Sequence, residues 1–320
     1  MPFHCTLAIT ADEFLNAFIS EKDYKSHLKV AFLMAMSKYA YPEVLCETGW
    51  VADNLKNPAI RILEVDYDPE NAYKEGHISG AHLVWWKRDI NDPVRRDIIS
   101  KQQFEELMSR VGAQPNTELV LYGDFNNWFA AFAFWVFQYY GHRKIKIMNG
   151  GRKKWELEKR EYTKDEPASE RSNYKANPPD EGVRAYMPDV RRALDKMGDS
   201  TTVLVDVRSP KEFTGEITAP PEYPTEHAQR GGHIPGAKNI PWAQAVKDTD
   251  GTFKSSEELK ALYEAKGVTP DKNIIAYCRI GERSSHTWFV LKYLLGYPLV
   301  RNYDGSWTEW GNMIGNPIEK

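Results

Sequence analysis

Gly76-His77-Ile78-Ser79-Gly80-Ala81 returns as Gly232-His233-Ile234-Pro235-Gly236-Ala237, 156 residues further along the chain. A six-residue match alone marks only a recurring turn, but here the surroundings repeat as well. Trp86 pairs with Trp242 at the same offset. Gly141 answers Gly296, and Asn149-Gly150-Gly151 through Trp155 answers Asp304-Gly305-Ser306 through Trp310, both at an offset of 155. Upstream, Ile62-Leu63-Glu64-Val65-Asp66 answers Leu204-Val205-Asp206-Val207-Arg208 at an offset of 142. The additional residues of the second half fall between Phe213 and Gly232. Self-similarity of this extent is the mark of a duplicated unit. Two copies of one domain, fused in tandem, are expected.

Each copy alternates short β-rich runs with helical segments. The runs cover residues 61–65, 118–122 and 144–148, then 202–207, 273–277 and 299–303; the helical segments cover 101–111, 129–140, 256–266 and 285–295. Such alternation predicts βαβ units and an α/β fold, with a central parallel sheet flanked by helices in each copy. The expected divisions are an N-terminal extension over 1–43, a first domain over 44–160, a charged and proline-bearing linker over 161–184, and a second domain over 185–320. In the extension, Phe14, Phe18, Leu28, Phe32, Leu33 and Met36 could line helix faces that pack on the first domain.

Bulk properties exclude several function classes. The 320 residues are 42% hydrophobic and 27% charged, with a formal net charge of −3, so nothing electrostatic favours a nucleic-acid partner. No stretch approaches the roughly 18 apolar residues of a membrane span. Asp12, Glu13, Glu21 and Asp23 make the first 30 residues unlike a secretory signal or transit peptide. Cys5, Cys46 and Cys278 are too few and too scattered for a disulfide framework or a zinc site. Reduced thiols, a cytoplasmic location and no metal or organic cofactor are expected.

The chemistry concentrates at Ala276-Tyr277-Cys278-Arg279-Ile280-Gly281-Glu282-Arg283-Ser284-Ser285-His286. A strand runs into Cys278 and an apolar helix leaves from the far side of a short loop. A helix N-terminus and nearby cations lower a thiol's pKa and make it nucleophilic, so Cys278 is the candidate nucleophile. Arg279 and Arg283, with Arg230 from the insert, are candidate donor-binding cations. The backbone of Arg279, Ile280, Gly281, Glu282 and Ser284 could turn its N–H groups onto a sulfur anion. Asp206 is a possible supporting residue, with pairing to Arg208 expected, and Trp307 could wall the pocket. His77 and His233 occupy equivalent turns, which favours a structural role. Gly123 and Trp128 stand where Cys278 and Arg283 would be, so only the second copy is armed.

These residues resemble the tandem-domain rhodanese sulfurtransferases over about residues 44–320, especially bacterial thiosulfate sulfurtransferases with a Cys-Arg-x-Gly-Glu-Arg-Ser loop. The resemblance rests on Val205-Asp206-Val207-Arg208 with Glu212-Phe213, on Gly232 to Ala237, on the Cys278 loop, and on Tyr303-Asp304-Gly305-Ser306-Trp307. It implies two rhodanese-like domains, the first inactive and the second catalytic. It also implies a cysteine cycling between thiolate and persulfide, thiosulfate as donor, and cyanide, a cellular thiol or a thioredoxin-like protein as acceptor.

Three rivals are weighed against that reading. Cysteine phosphatases need Cys-x5-Arg, whereas Cys278 to Arg283 is Cys-x4-Arg, a smaller loop suited to one transferred sulfur. Mercaptopyruvate sulfurtransferases carry a Cys-Gly-Ser-Gly-Val-type loop and an arginine where this chain has Glu212. A non-catalytic binding module would have lost the cysteine, as the first copy has.

Overall fold

In the computed structural model, residues 39–196, 201–220 and 227–320 are described. Cys5 and the apolar positions of the extension lie outside them. The two halves form parallel five-stranded sheets of identical order. The first comprises β1 (Leu45–Cys46), β2 (Ile60–Asp66), β3 (Ala81–Trp85), β4 (Glu118–Tyr122) and β5 (Ile145–Met148), arranged β1-β5-β4-β2-β3. The second comprises β6 (Arg184–Ala185), β7 (Thr202–Asp206), β8 (Lys238–Asn239), β9 (Asn273–Tyr277) and β10 (Val300–Tyr303), arranged β6-β10-β9-β7-β8. The central strands are rich in Val, Ile and Leu because helices cover both faces of a parallel sheet. The tandem α/β duplication follows as expected from the repeat.

Outside the central strands the sequence signal was weaker. The edge strands β1, β6 and β8 have two residues each, too short to show a periodicity. The helix after the cysteine starts at Glu282 rather than near Ser284, running Glu282–Phe289 and continuing as a π-turn over Val290–Leu294. Of the extension, Tyr39 donates to the carbonyl of Lys254 at 2.7 Å and the Ala40 N–H to that of Leu294 at 2.9 Å, so these residues lie on the second half rather than the first.

A helix that is apolar all round must be enclosed. Trp128–Tyr139 is such a helix, with all twelve residues buried, and it packs on Glu282–Phe289 of the other half. Phe134 sits edge-to-face with Phe289 at 4.9 Å and with Tyr293 at 5.1 Å. Fully burying an aromatic side chain of this kind contributes about 1.5–3 kcal/mol, so the halves share a core. Polar ties repeat the duplication's symmetry. The Phe253 N–H donates to Asn149 Oδ1 at 3.0 Å, and Arg184 bridges Asp97 of the first half (2.6 Å) to Asp304 of the second (2.8 Å).

This architecture places the cysteine. In an open parallel sheet, sites form beyond the carboxyl ends of the strands where the chain order reverses. In the second half that point lies between β7 and β9, which pair from Thr202↔Asn273 to Asp206↔Tyr277. Cys278 is the next residue.

Candidate active site

Cys278 is fully buried, as are Glu282 and Ser284, and Arg279 and Arg283 are nearly so. Gly281 caps the helix with φ +97°, a backbone that L side chains rarely adopt, and a Cβ there would lie 2.7 Å from Asp304. That turn brings the Gly281 N–H to 3.2 Å from Cys278 Sγ, with Ser284 Oγ at 3.6 Å. Ser284 Oγ is also 2.6 Å from Asn302 Oδ1, and Asn302 Nδ2 donates to the Gly281 carbonyl at 3.2 Å. The loop is pinned from the other side by the helix Ser306–Trp310. The Cys278 N–H donates to Ser306 Oγ, the Trp307 N–H to the Cys278 carbonyl and the Thr308 N–H to the Arg279 carbonyl, each at 3.0 Å. Ser306 and Asn302 were not singled out from the sequence. Ser306 lies in the Asp304-Gly305-Ser306 turn, but its contact with a residue 28 positions away needed the fold.

The electrostatics correct one expectation. Burial pushes the Cys278 thiol up from its ordinary value, and the Glu282 carboxylate adds to this, outweighing the pull of Arg283 and Ser284 downward. Position in the chain promised a depressed thiol; tertiary structure removed the solvent and put a carboxylate against it. The thiol donates to Glu282 Oε2 at 3.2 Å. Although burial opposes its ionisation, Glu282 is held below the ordinary carboxylate range, first by Arg279 (Nη2 at 3.4 Å) and then by Arg283 (Nε at 3.5 Å).

Arg283 is itself held. Its Nη1 and Nη2 donate to the two carboxylate oxygens of Glu212 at 2.9 and 3.0 Å, both side chains being buried. Such bidentate, charge-assisted pairs are the strong ones. Glu212 also closes the cap of the helix Pro210–Thr214, accepting from the Ser209 N–H at 3.0 Å. Residues beyond β7 and β9 thus join across the switch point.

The remaining candidates make contacts within the scaffold. Arg230 donates to four backbone carbonyls, those of Trp310, Gly311, Met313 and Asn316, at 2.6–3.3 Å. It borders an open recess of about 550 Å³ whose lining includes neither Cys278 nor its loop. Asp206 and Arg208 pair with each other at 2.6 Å, fully buried, and Arg208 donates on to the Gly232 carbonyl at 2.7 Å. Trp307 lies against the Arg208 guanidinium at 4.5 Å and donates through Nε1 to the Arg230 carbonyl at 3.0 Å. His77 and His233 each stack on an aromatic ring, Tyr73 at 3.7 Å and Phe213 at 3.5 Å, with Nδ1 bonded to that ring's own backbone carbonyl.

The first half repeats the scaffold without the chemistry. The Tyr122 hydroxyl accepts from the Ile78 N–H, as Tyr277 does from Ile234. Trp128, in the position of Arg283, packs on Trp242 of the second half at 5.1 Å. At Gly123, a Cβ would meet the Val65 carbonyl oxygen at 2.5 Å, so the backbone has closed over the place a thiol would occupy.

A family model described as a rhodanese-like domain matches twice, over residues 47–158 and 189–313. The chain belongs to the rhodanese family. Its two rhodanese domains are the two sheets described above. A curated relative named sulfur carrier protein TtuD, from Thermus thermophilus, is 57% identical over 282 residues, covering 88% of this chain and 98% of that protein. A provisionally named thiosulfate sulfurtransferase of Saccharopolyspora erythraea is 52% identical over 277 residues, covering 87% and 96%. Another, from Haloferax volcanii, is 50% identical over 292 residues, covering 90% and 99%. The fold is similar to that of the anaerobic ergothioneine biosynthesis enzyme of Chlorobium limicola, solved with trimethyl histidine. The TM-score is 0.78 at 24% identity, covering 89% of this chain and 72% of that one. No described helix of the chain is long and apolar enough to cross a membrane.

Proposed function

We propose that the protein moves a sulfane sulfur from thiosulfate to a thiophilic acceptor through a persulfide on Cys278. The observation that carries this reading is the seat of Sγ. It lies at the floor of a Cys-x4-Arg loop at the N-terminus of a helix, with the Gly281 N–H at 3.2 Å. Cys278 thiolate attacks the outer sulfur of thiosulfate; the donor's S–S bond breaks with its electron pair leaving on sulfite, and Cys278–S–S⁻ remains. The acceptor then attacks the terminal sulfur and the Cys278 thiolate leaves. Two half-reactions through one covalent intermediate give ping-pong kinetics. The oriented amide and the helix dipole favour the persulfide's charge. The Thermus relative is named a sulfur carrier protein, which supports a protein that holds sulfur on its cysteine and passes it to a cellular acceptor rather than to cyanide.

Thiosulfate is favoured over 3-mercaptopyruvate because Glu212 stands where the latter's carboxylate would need a cation, and Glu212 is bound to Arg283. The test is intact mass after incubation with thiosulfate. One added sulfur is expected, removed by cyanide and absent in Cys278→Ser. Steady-state kinetics with both donors then decide between them, and a higher kcat/KM for mercaptopyruvate overturns the donor assignment.

A further inference from the structure

Glu282 occupies an unusual place for the first residue of a helix. A glutamate there commonly faces solvent or caps its own backbone, but this one is fully buried and reaches the sulfur. The Gly281 N–H, the hydroxyl and the backbone N–H of Ser284, and Glu282 Oε2 all approach Cys278 Sγ. Only the last is a base. The other carboxylate oxygen, Oε1, faces Arg279 at 3.4 Å and Arg283 at 3.5 Å. One carboxylate therefore joins the nucleophile to both guanidinium groups of the loop.

The described charges around this pair come from each packed element. The loop supplies Arg279, the following helix supplies Arg283, and the helix Pro210–Thr214 supplies Glu212 against Arg283. Beyond them, Arg208 pairs with Asp206, and Arg184 bridges Asp304 and Asp97. Taking an additional uncompensated charge into such a buried cluster carries a heavy desolvation cost. Ionising Cys278 while Glu282 stays a carboxylate would add one negative charge. Moving the same proton 3.2 Å from Sγ to Oε2 leaves the total charge unchanged.

We propose that Glu282 is a catalytic proton acceptor: at rest Arg279 and Arg283 hold it as a carboxylate that keeps Cys278 a thiol, and it takes the proton once the oxygens of the arriving anionic donor draw those guanidinium groups away from it. This deepens the persulfide reading and rests on it. The Cys278 S–H bond breaks with its electron pair kept by sulfur, and the Oε2–H bond of Glu282 forms. The thiolate then attacks the donor as above. A neutral Glu282 no longer draws on Arg279 and Arg283, whose charge becomes available to the donor's oxygens and afterwards to the persulfide. When the acceptor removes the sulfur, the returning thiolate recovers the proton. Neither half-reaction requires exchange of this proton with solvent.

Glu282→Gln is isosteric with the protonated acid but can neither take the proton nor balance the arginines. In this variant the thiolate becomes the resting form. Its ultraviolet absorbance, measured against a Cys278→Ser baseline, is expected at lower pH than in the wild type. Alkylation by iodoacetamide at neutral pH rises at least about tenfold, the equivalent of one pKa unit, and loses its pH dependence. Glu282→Asp, which restores an acid one methylene shorter, returns both readouts toward the wild type. A Gln variant with wild-type thiolate absorbance and alkylation overturns the proposal, as does an Asp variant that behaves like Gln. Persulfide mass is measured in parallel on the wild type. Its absence there would sink the carrier reading by itself, while the thiolate comparison would still report on Glu282.

Discussion

Glu212→Gln tests how much the pair across the switch point contributes. Burial opposes ionisation of Glu212, but the Arg283 guanidinium, backed by Arg208 and the Ser209 N–H, outweighs it and brings the carboxyl from an ordinary 4.5 to about 2. At 1.36 kcal/mol per pKa unit, that depression corresponds to roughly 3 kcal/mol of stability. A second route gives a similar size, since removing one partner of a buried ion pair costs about 3–5 kcal/mol. The assay is urea unfolding of wild type and variant at a series of pH values. Because the folded carboxyl is more acidic than the unfolded one, its contribution is complete above about pH 5. It drains away as the pH falls through 4.5 toward about 2. The wild type should therefore exceed the variant by roughly 3 kcal/mol at neutral pH, and the gap should close on acidification. A neutral-pH difference below about 1 kcal/mol, the size of an exposed pair, refutes the reasoning. So does a gap that is constant with pH.

Other predictions follow from single contacts. Gly281→Ala forces a Cβ to within 2.7 Å of Asp304 at φ +97°; sulfur loading by mass should be lost, with stability reduced by about 1–3 kcal/mol. His286 is fully buried between Phe253 and Trp242 with both ring nitrogens unpartnered, and burial lowers its pKa from 6.5 to about 3. His286→Phe should stabilise by about 1–3 kcal/mol in thermal or urea unfolding. It should also remove the wild type's loss of stability as the pH falls below 6.5, where the unfolded imidazole takes a proton that the folded one refuses. Gly123→Cys should not create a second sulfur-loading site, because the Val65 carbonyl occupies the space; two added sulfurs in the mass spectrum would contradict this. Arg230→Gln should lower the melting temperature while changing the KM for thiosulfate by less than about tenfold, about 1.4 kcal/mol, since its donors serve four carbonyls.

The repeat and the hydrophobic runs were enough to obtain the tandem α/β architecture. Val, Ile and Leu runs bounded by turns encode buried strands locally, and duplication shows each signal twice. The strand–Cys278–loop–helix unit was also legible, because its members are contiguous. The two-residue edge strands were not, since they exist only through pairing with a longer neighbour.

Much of the site's electrostatics was decided by solvent exclusion and by residues distant in sequence. Arg283 and Glu212 are 71 positions apart, and their register depends on β7 lying beside β9. Arg230 looked like a free cation until the C-terminal segment folded beneath it. Gly123 looked like a lost nucleophile, yet the backbone around it has closed. Most tellingly, the helix N-terminus and the loop arginines argued for an acidic thiol, whereas enclosure, with the loop's own Glu282 turned onto the sulfur, reverses the sign. Local sequence determines which groups stand near one another along the chain. Solvent exclusion, and with it the strength and sign of every charge interaction, belongs to the packed structure.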